Sequence, residues 1–146
     1  MILVDTGPLV ALFDPADGDH QRCRRILATV EAPLCTTIPV LTEAFHLLRP
    51  DSIGAQRLMD FAVKDGLSIW FLDQATLSRA FELMVQYADH PMDLADASLV
   101  VLAEVLKSRR IFTIDRGDFL TYRIRQGHGH HAFEILSSKP GNHDER

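Results

Sequence analysis

The chain has 146 residues, a formal net charge of −5, and a hydrophobic share of 47%, which is typical of an ordinary globular protein. This length suits one domain with a single core. The negative charge argues against indiscriminate nucleic-acid binding through bulk charge, but it is compatible with a local basic surface.

The amino-terminal stretch does not fit a signal peptide, because it lacks a basic start and because Asp5 and Pro8 interrupt its apolar run. No stretch approaches the roughly 18 apolar residues of a membrane span. Cys23 and Cys35 have no CxxC spacing, which favours reduced and at least half-buried thiols. We therefore expect a cytoplasmic protein that does not enter the membrane.

The chain opens with an apolar run over residues 1–4, which predicts a buried parallel strand ending at Asp5. Thr6, Gly7 and Pro8 then turn the chain into a short helix. Further apolar strands alternate with amphipathic helices. Strands are predicted at 34–37, 67–72 and 111–114, with a last edge strand at 132–136. Helices are predicted at 20–30, 39–48, 51–66, 73–88 and 94–107, and a short helix or turn from 115.

This alternation predicts an α/β fold with three layers, in which helices cover both faces of a central, mostly parallel sheet of four or five strands. The absence of a linker or repeat favours one domain over residues 1–137. Residues 138–146 are polar and contain Pro140 and Gly141, so they are predicted to form a tail.

Acidic residues from distant stretches are predicted to meet at one edge of this sheet. Right-handed crossovers place the carboxyl ends of the strands beside the amino ends of the following helices. Asp5 and Asp115 follow the first and fourth strands, and Asp93 and Asp96 begin the helix that leads to the fourth strand. Glu43 lies about 6 Å into the helix after the second strand, at a rise of about 1.5 Å per residue.

Such a cluster needs a counter-charge. Two carboxylates about 4 Å apart repel by about 4 kcal/mol at a protein-like effective dielectric. The acids must therefore take up protons or bind a divalent cation. A set of oxygen ligands without matching His or Cys favours Mg²⁺ or Mn²⁺ over zinc. Such an ion lowers the pKa of a bound water and neutralises charge on a phosphoryl group, which is the chemistry of phosphodiester hydrolysis.

Four motifs in this order carry a family resemblance: VDTGPLVAL at 4–12, LTEAFHLL at 41–48, MDLADASLVVLAE at 92–104 and FTIDRGDF at 112–119. With the strand–helix order, the chain resembles the PIN-domain ribonucleases, and its layout is most similar to the VapC toxins of bacterial and archaeal toxin–antitoxin pairs. The resemblance implies a Mg²⁺- or Mn²⁺-dependent endoribonuclease, usually a homodimer, with a cognate antitoxin encoded beside it. It also implies RNA products with a 5′-phosphate and a 3′-hydroxyl.

The resemblance also implies a set of catalytic acids, which falls on Asp5, Glu43, Asp96 and Asp115. We expect Asp5, Asp96 and Asp115 to hold the metal, with Glu43 completing the site or orienting the attacking water.

Two choices within this set stay open. Asp93 competes with Asp96, and we favour Asp96 as the metal ligand and Asp93 as the N-cap of the helix. Asp118 competes with Asp115, and we favour Asp115, with Asp118 as an outer metal ligand or a salt-bridge partner. Thr6 flanks these acids and is expected either to hydrogen-bond them or to serve an ordinary turn role. The same two roles, with a strand in place of the turn, apply to Thr113.

Basic and histidine residues near the carboxyl terminus offer further candidates. We predict that three arginines bind substrate phosphates: Arg116, Arg123 and Arg125. Three histidines lie in a Gly-rich stretch, and we favour a solvated loop there over a second metal site: His128, His130 and His131. The main alternative function is a catalytically inactive PIN-like module that binds RNA or protein.

Overall fold

The computed structural model describes residues 1–64 and 66–137. Its strands are β1 (Ile2–Val4), β2 (Leu34–Thr37), β3 (Ser68–Trp70), β4 (Arg110–Phe112), β5 (Arg123–Gln126), β6 (Gly129–Ala132) and β7 (Glu134–Ile135). Its helices are α1 (Thr6–Phe13), α2 (His20–Ala28), α3 (Ile38–Leu48), α4 (Ile53–Val63), α5 (Gln74–Gln86), α6 (Leu94–Leu106) and α7 (Arg116–Thr121). The tail predicted for residues 138–146 lies outside the described residues.

Strand β1 lies at the centre of a five-stranded sheet with the order β3-β2-β1-β4-β7. All four strand pairs are parallel, and Leu3 lies opposite Cys35 on one side and Ile111 on the other. Every residue of β1 is buried, since helices cover both faces of a parallel sheet. The predicted three-layer α/β fold is therefore confirmed. The last edge strand is confirmed too, although β7 is shorter than the predicted 132–136.

Helix α6 packs against α3, α5 and strands β1 and β2. Its buried residues point in every direction around the helix axis, as the nearly continuous apolar sequence predicts. Asp93 is the N-cap of this helix, and its Oδ1 accepts a hydrogen bond of 2.8 Å from the amide of Asp96. The amino end of a deeply buried helix is thereby fixed at the edge of the sheet.

Strands β5 and β6 form a separate antiparallel hairpin, which the sequence analysis missed. The turn has two residues, and Gly127 adopts a φ of +59°, which favours glycine. His128 lies in this turn, but His130 and His131 belong to β6, so the predicted loop is wrong for these two. Strand β5 buries only Ile124, and one apolar residue gives little signal of a strand.

Cys23 and Cys35 are both buried and free, as predicted. Across residues 1–64 and 66–137, no helix combines the length and the apolar character that crossing a membrane would require.

Candidate active site

A pocket of about 290 Å³ lies where strands β1 and β4 end. Four segments of the chain deliver acidic side chains to it. These acids are Asp5, Glu43, Asp93, Asp96, Asp115 and Asp118. The structure thus brings together all six carboxylates singled out in the sequence. Their roles as metal ligands or catalytic groups stay predictions.

Asp5 is the most rigidly held of these acids. It follows β1, caps α1, and exposes only 7% of its surface. Its Oδ1 accepts a hydrogen bond of 2.8 Å from the amide of Thr6, and its Oδ2 accepts one of 2.8 Å from the Thr113 hydroxyl. Burial raises its pKa to about 6, although both hydrogen bonds oppose the shift, and the charges of Asp115 and Glu43 add to it.

Asp96 lies in the first turn of α6, and its Oδ2 accepts a hydrogen bond of 3.0 Å from the Tyr122 hydroxyl. Burial raises its pKa to about 8, and the negative charges of Asp93 and Asp5 raise it further, against the lowering effect of the Tyr122 hydrogen bond. A carboxyl with this pKa holds a proton at neutral pH in the absence of a cation.

Asp115 and Asp118 lie next to each other around the start of α7. The Oδ1 of Asp115 accepts a hydrogen bond of 3.3 Å from the amide of Asp118, which caps α7. Burial raises the pKa of Asp115, and the adjoining Asp118 side chain contributes to this rise. Asp118 in turn lies 2.6 Å, Oδ1 to Nε2, from the His90 ring. The role of Asp118 as an outer metal ligand or a salt-bridge partner stays a prediction.

Glu43 is half-buried on α3, and its pKa is raised by burial and then by the charge of Asp93. Burial is also the largest cause of the raised pKa at Asp5, Asp96 and Asp115. Neighbouring carboxylates then add to the shift at each of these positions. A pocket of this kind favours the binding of protons or of a cation.

The donor set fits a hard divalent cation in its chemistry, since all six acids offer oxygen. Thr6 also lines the pocket, and its hydroxyl is buried without a hydrogen-bond partner among the described residues. A buried hydroxyl of this kind is costly unless an ion or water satisfies it.

The carboxylates are nevertheless not arranged as the ligands of a bound metal ion. Within residues 1–64 and 66–137, no group of three or more His, Cys, Asp or Glu side chains is arranged to hold a metal ion. Helix caps instead engage oxygens of Asp5, Asp93 and Asp115.

The three arginines predicted to bind phosphate do not line the pocket. Arg116 is the first residue of α7, directly after Asp115, whereas Arg123 and Arg125 are exposed on β5. The Nη1 of Arg123 donates to three backbone carbonyls at the end of α7 at 2.7–3.1 Å: those of Leu120, Thr121 and Tyr122. The phosphate-binding role of these arginines stays a prediction.

Two residues at the site were missed by sequence reasoning, namely Tyr122 and His90. Each contacts one of the acids, Asp96 and Asp118 respectively. A signal existed for His90, because it lies in the loop that delivers Asp93 to the sheet edge. Tyr122 follows the last acidic motif by three residues, but nothing in the sequence links it to Asp96, 26 residues away.

The fold and the pocket together define an α/β protein with an all-carboxylate site at the carboxyl edge of a parallel sheet. The sequence model of the PIN domain matches residues 2–123. The chain belongs to the PIN domain family, and the resemblance carried by its four motifs is confirmed.

The chain is also similar to two known proteins. The chain is 27% identical over 125 residues to the ribonuclease VapC26 of Mycobacterium tuberculosis strain H37Rv, a match that covers 84% of this chain and 92% of that protein. Among solved structures it is similar to M. tuberculosis VapC20, which is described as a sarcin–ricin loop cleaving toxin. That match has a TM-score of 0.73 and 20% identity, and it covers 81% of this chain and 94% of the other. The likeness to VapC20 shows a shared fold.

Proposed function

We propose that this chain is a Mg²⁺- or Mn²⁺-dependent endoribonuclease that acts as the toxin of a toxin–antitoxin pair. The observation that carries the proposal is the pocket of six acids, which four distant segments deliver to one edge of the sheet. Membership of the PIN domain family and the similarity to the ribonuclease VapC26 support ribonuclease chemistry at this pocket.

In the proposed mechanism, Asp5, Asp96 and Asp115 would hold the cation. A bound divalent ion lowers the pKa of its water and neutralises charge on the phosphoryl group. Glu43 completes the site or orients the attacking water. The Thr113 hydroxyl keeps the Asp5 carboxylate in place. The raised pKa values of Asp5 and Asp96 show that negative charge is disfavoured at both carboxyls in the metal-free protein, and a bound divalent cation would stabilise their ionised forms.

Two acids take outer positions in this proposal. Asp93 caps α6 through its Oδ1, so that its main work is to fix the backbone from which Asp96 projects. Asp118 would serve as an outer metal ligand, and its Oδ1 contacts His90. His90 thereby keeps Asp118 beside Asp115 at the edge of the pocket.

Substrate phosphates are proposed to contact Arg116 and Arg125, with Arg123 as a third contact. Arg116 adjoins Asp115 in the chain, and Arg125 is exposed on β5. The Nη1 donors of Arg123 are directed at the end of α7, so its remaining nitrogens are the ones available for phosphate. Losing an arginine that contacts phosphate weakens RNA binding and reduces its dependence on salt.

We propose three partners, as the family resemblance implies: an RNA substrate, a cognate antitoxin and a second copy of the chain in a homodimer. The similarity to the ribonuclease VapC26 supports the first of them. The gene beside this one is the first place to seek the antitoxin.

The experiment incubates the purified protein with mixed cellular RNA and Mn²⁺ or Mg²⁺, with and without a chelator, and maps the new ends. We expect 5′-phosphate and 3′-hydroxyl ends, and no cleavage once the chelator is present. Asp5→Asn and Asp96→Asn should abolish cleavage with the circular dichroism spectrum unchanged. The matched control is Asp60→Asn, because Asp60 is an exposed aspartate on α4 that does not line the pocket.

Cleavage at the parental rate by either pocket variant would show that its aspartate is wrongly assigned. RNA binding without cleavage under every metal condition would instead support the catalytically inactive PIN-like binding module.

A further inference from the structure

Tyr122 is the residue that joins α7 to β5, and its side chain is completely buried, which is unusual for a tyrosine. Three rings pack against it edge-on: Tyr87 at 5.2 Å, Phe119 at 5.3 Å and His90 at 5.8 Å between ring centroids. Edge-to-face contacts on several sides fix both the place and the tilt of the ring. The direction of its hydroxyl is therefore set by the core.

That hydroxyl points at one of the acids of the pocket. It donates to Oδ2 of Asp96 at a distance of 3.0 Å. In the part of the chain that the structure describes, no hydrogen bond engages the other oxygen, Oδ1. The phenol thus fixes the rotation of the carboxylate and leaves one oxygen of Asp96 available to the pocket.

We propose that Tyr122 is a positioning residue of this active site, which holds the Asp96 carboxylate in the orientation that receives a divalent cation. The inference rests on the proposed function, since it concerns the same acidic site. A buried tyrosine held by three ring contacts gives the carboxylate a fixed partner, which a flexible side chain or a water would not. Tyr122 would contact neither substrate nor ion.

The chain contains a matched control for the loss of this hydroxyl. Its other tyrosine, Tyr87, packs against the same aromatic group. The Tyr87 hydroxyl accepts a hydrogen bond of 3.0 Å from the amide of Arg123, and among the described residues it forms no hydrogen bond with an acid of the pocket. Tyr87→Phe and Tyr122→Phe therefore remove the same atom from neighbouring rings, and only the second removes a hydrogen bond to an acid.

The test is Mn²⁺ binding to the metal-free protein, measured by calorimetric titration on the wild type and on both variants. Loss of a residue that orients a metal ligand weakens metal affinity by about 10-fold or more, and we expect this for Tyr122→Phe. Tyr87→Phe should stay within about twofold of the wild type. Equal affinity in Tyr122→Phe and the wild type would overturn the positioning role and leave the proposed function standing. Absence of Mn²⁺ binding and of cleavage in the wild type would instead overturn the proposed function and this inference with it.

A second measurement separates positioning from a general packing effect. Thermal unfolding of the metal-free protein is compared for Tyr122→Phe in the wild-type background and in an Asp96→Ala background. If the hydroxyl acts through Asp96, its removal lowers the melting temperature in the first background and by less than half as much in the second. An equal drop in both backgrounds would overturn the inference, because the hydroxyl would then act independently of Asp96.

Discussion

Replacing Asp96 by asparagine tests whether the ionised carboxylate of Asp96 destabilises the metal-free protein, a cost that a bound cation would offset. In the metal-free protein, burial, followed by the charges of Asp93 and Asp5, raises the pKa of Asp96 from 3.8 to about 8. An acid whose pKa rises on folding contributes stability below its unfolded-state pKa, and this stability is lost as the pH rises through the folded-state value. The metal-free wild type should therefore become less stable between about pH 4 and about pH 8.

The size of this effect follows from the pKa shift. A rise from 3.8 to about 8 corresponds to about 6 kcal/mol at about 1.4 kcal/mol per unit. Asp96 is only partly buried, and screening by water reduces the expected effect to about 2 kcal/mol. Asparagine cannot ionise, yet its amide oxygen still accepts the hydrogen bond from Tyr122. The variant should be about as stable as the wild type near pH 4 and about 2 kcal/mol more stable near pH 8.5, or about 6 °C in melting temperature.

The assay is thermal unfolding followed by circular dichroism at both pH values, with a chelator present and at low ionic strength so that salt does not screen the charges. Asp60→Asn is the matched control, since it removes one exposed carboxylate on α4 and should change little at either pH. The reasoning is refuted if the difference in stability between Asp96→Asn and the wild type is the same near pH 4 and near pH 8.5.

Three other predictions follow from the structure. Glu104→Gln should lower the free energy of unfolding by about 2 kcal/mol in urea titrations, because Glu104 and Arg79 form a largely buried ion pair with two hydrogen bonds. The control is Glu82→Gln, which should lower it by under about 0.5 kcal/mol, because the Glu82 side chain is 61% exposed. Gly7→Ala should cost about 1–3 kcal/mol in the same assay, since its Cβ would lie 2.6 Å from Cγ1 of Ile114, and an unchanged midpoint would contradict this. Saturating Mn²⁺ should raise the melting temperature of the wild type by several degrees and that of Asp96→Asn by much less, and equal shifts would contradict the site.

The edge of the sheet where the acids meet could be predicted because it depends on topology alone. Asp5 and Asp115 follow apolar runs, and parallel strands place such positions together. The role of Asp93 as an N-cap could be predicted as well, since it directly precedes a long apolar helix. These signals are local, and the fold converts them into proximity.

Other features of the site depend on contacts that no local pattern encodes. The hydrogen bond from Tyr122 to Asp96 joins residues on two elements, and only the packing of α7 against the core brings them together. The β5–β6 hairpin escaped prediction because its exposed faces carry Arg125 and His130, which are cross-strand neighbours without an apolar alternation. The orientation of each carboxylate also depends on its cap or partner, which the sequence does not specify.

The most direct test of the account is a crystal structure of the protein grown with Mn²⁺, with data collected for the anomalous signal of manganese. The account predicts an anomalous peak inside the pocket, with oxygens of Asp5, Asp96 and Asp115 as its protein ligands. An empty pocket at saturating Mn²⁺, or a peak held by the histidines of the β5–β6 hairpin instead, would contradict it.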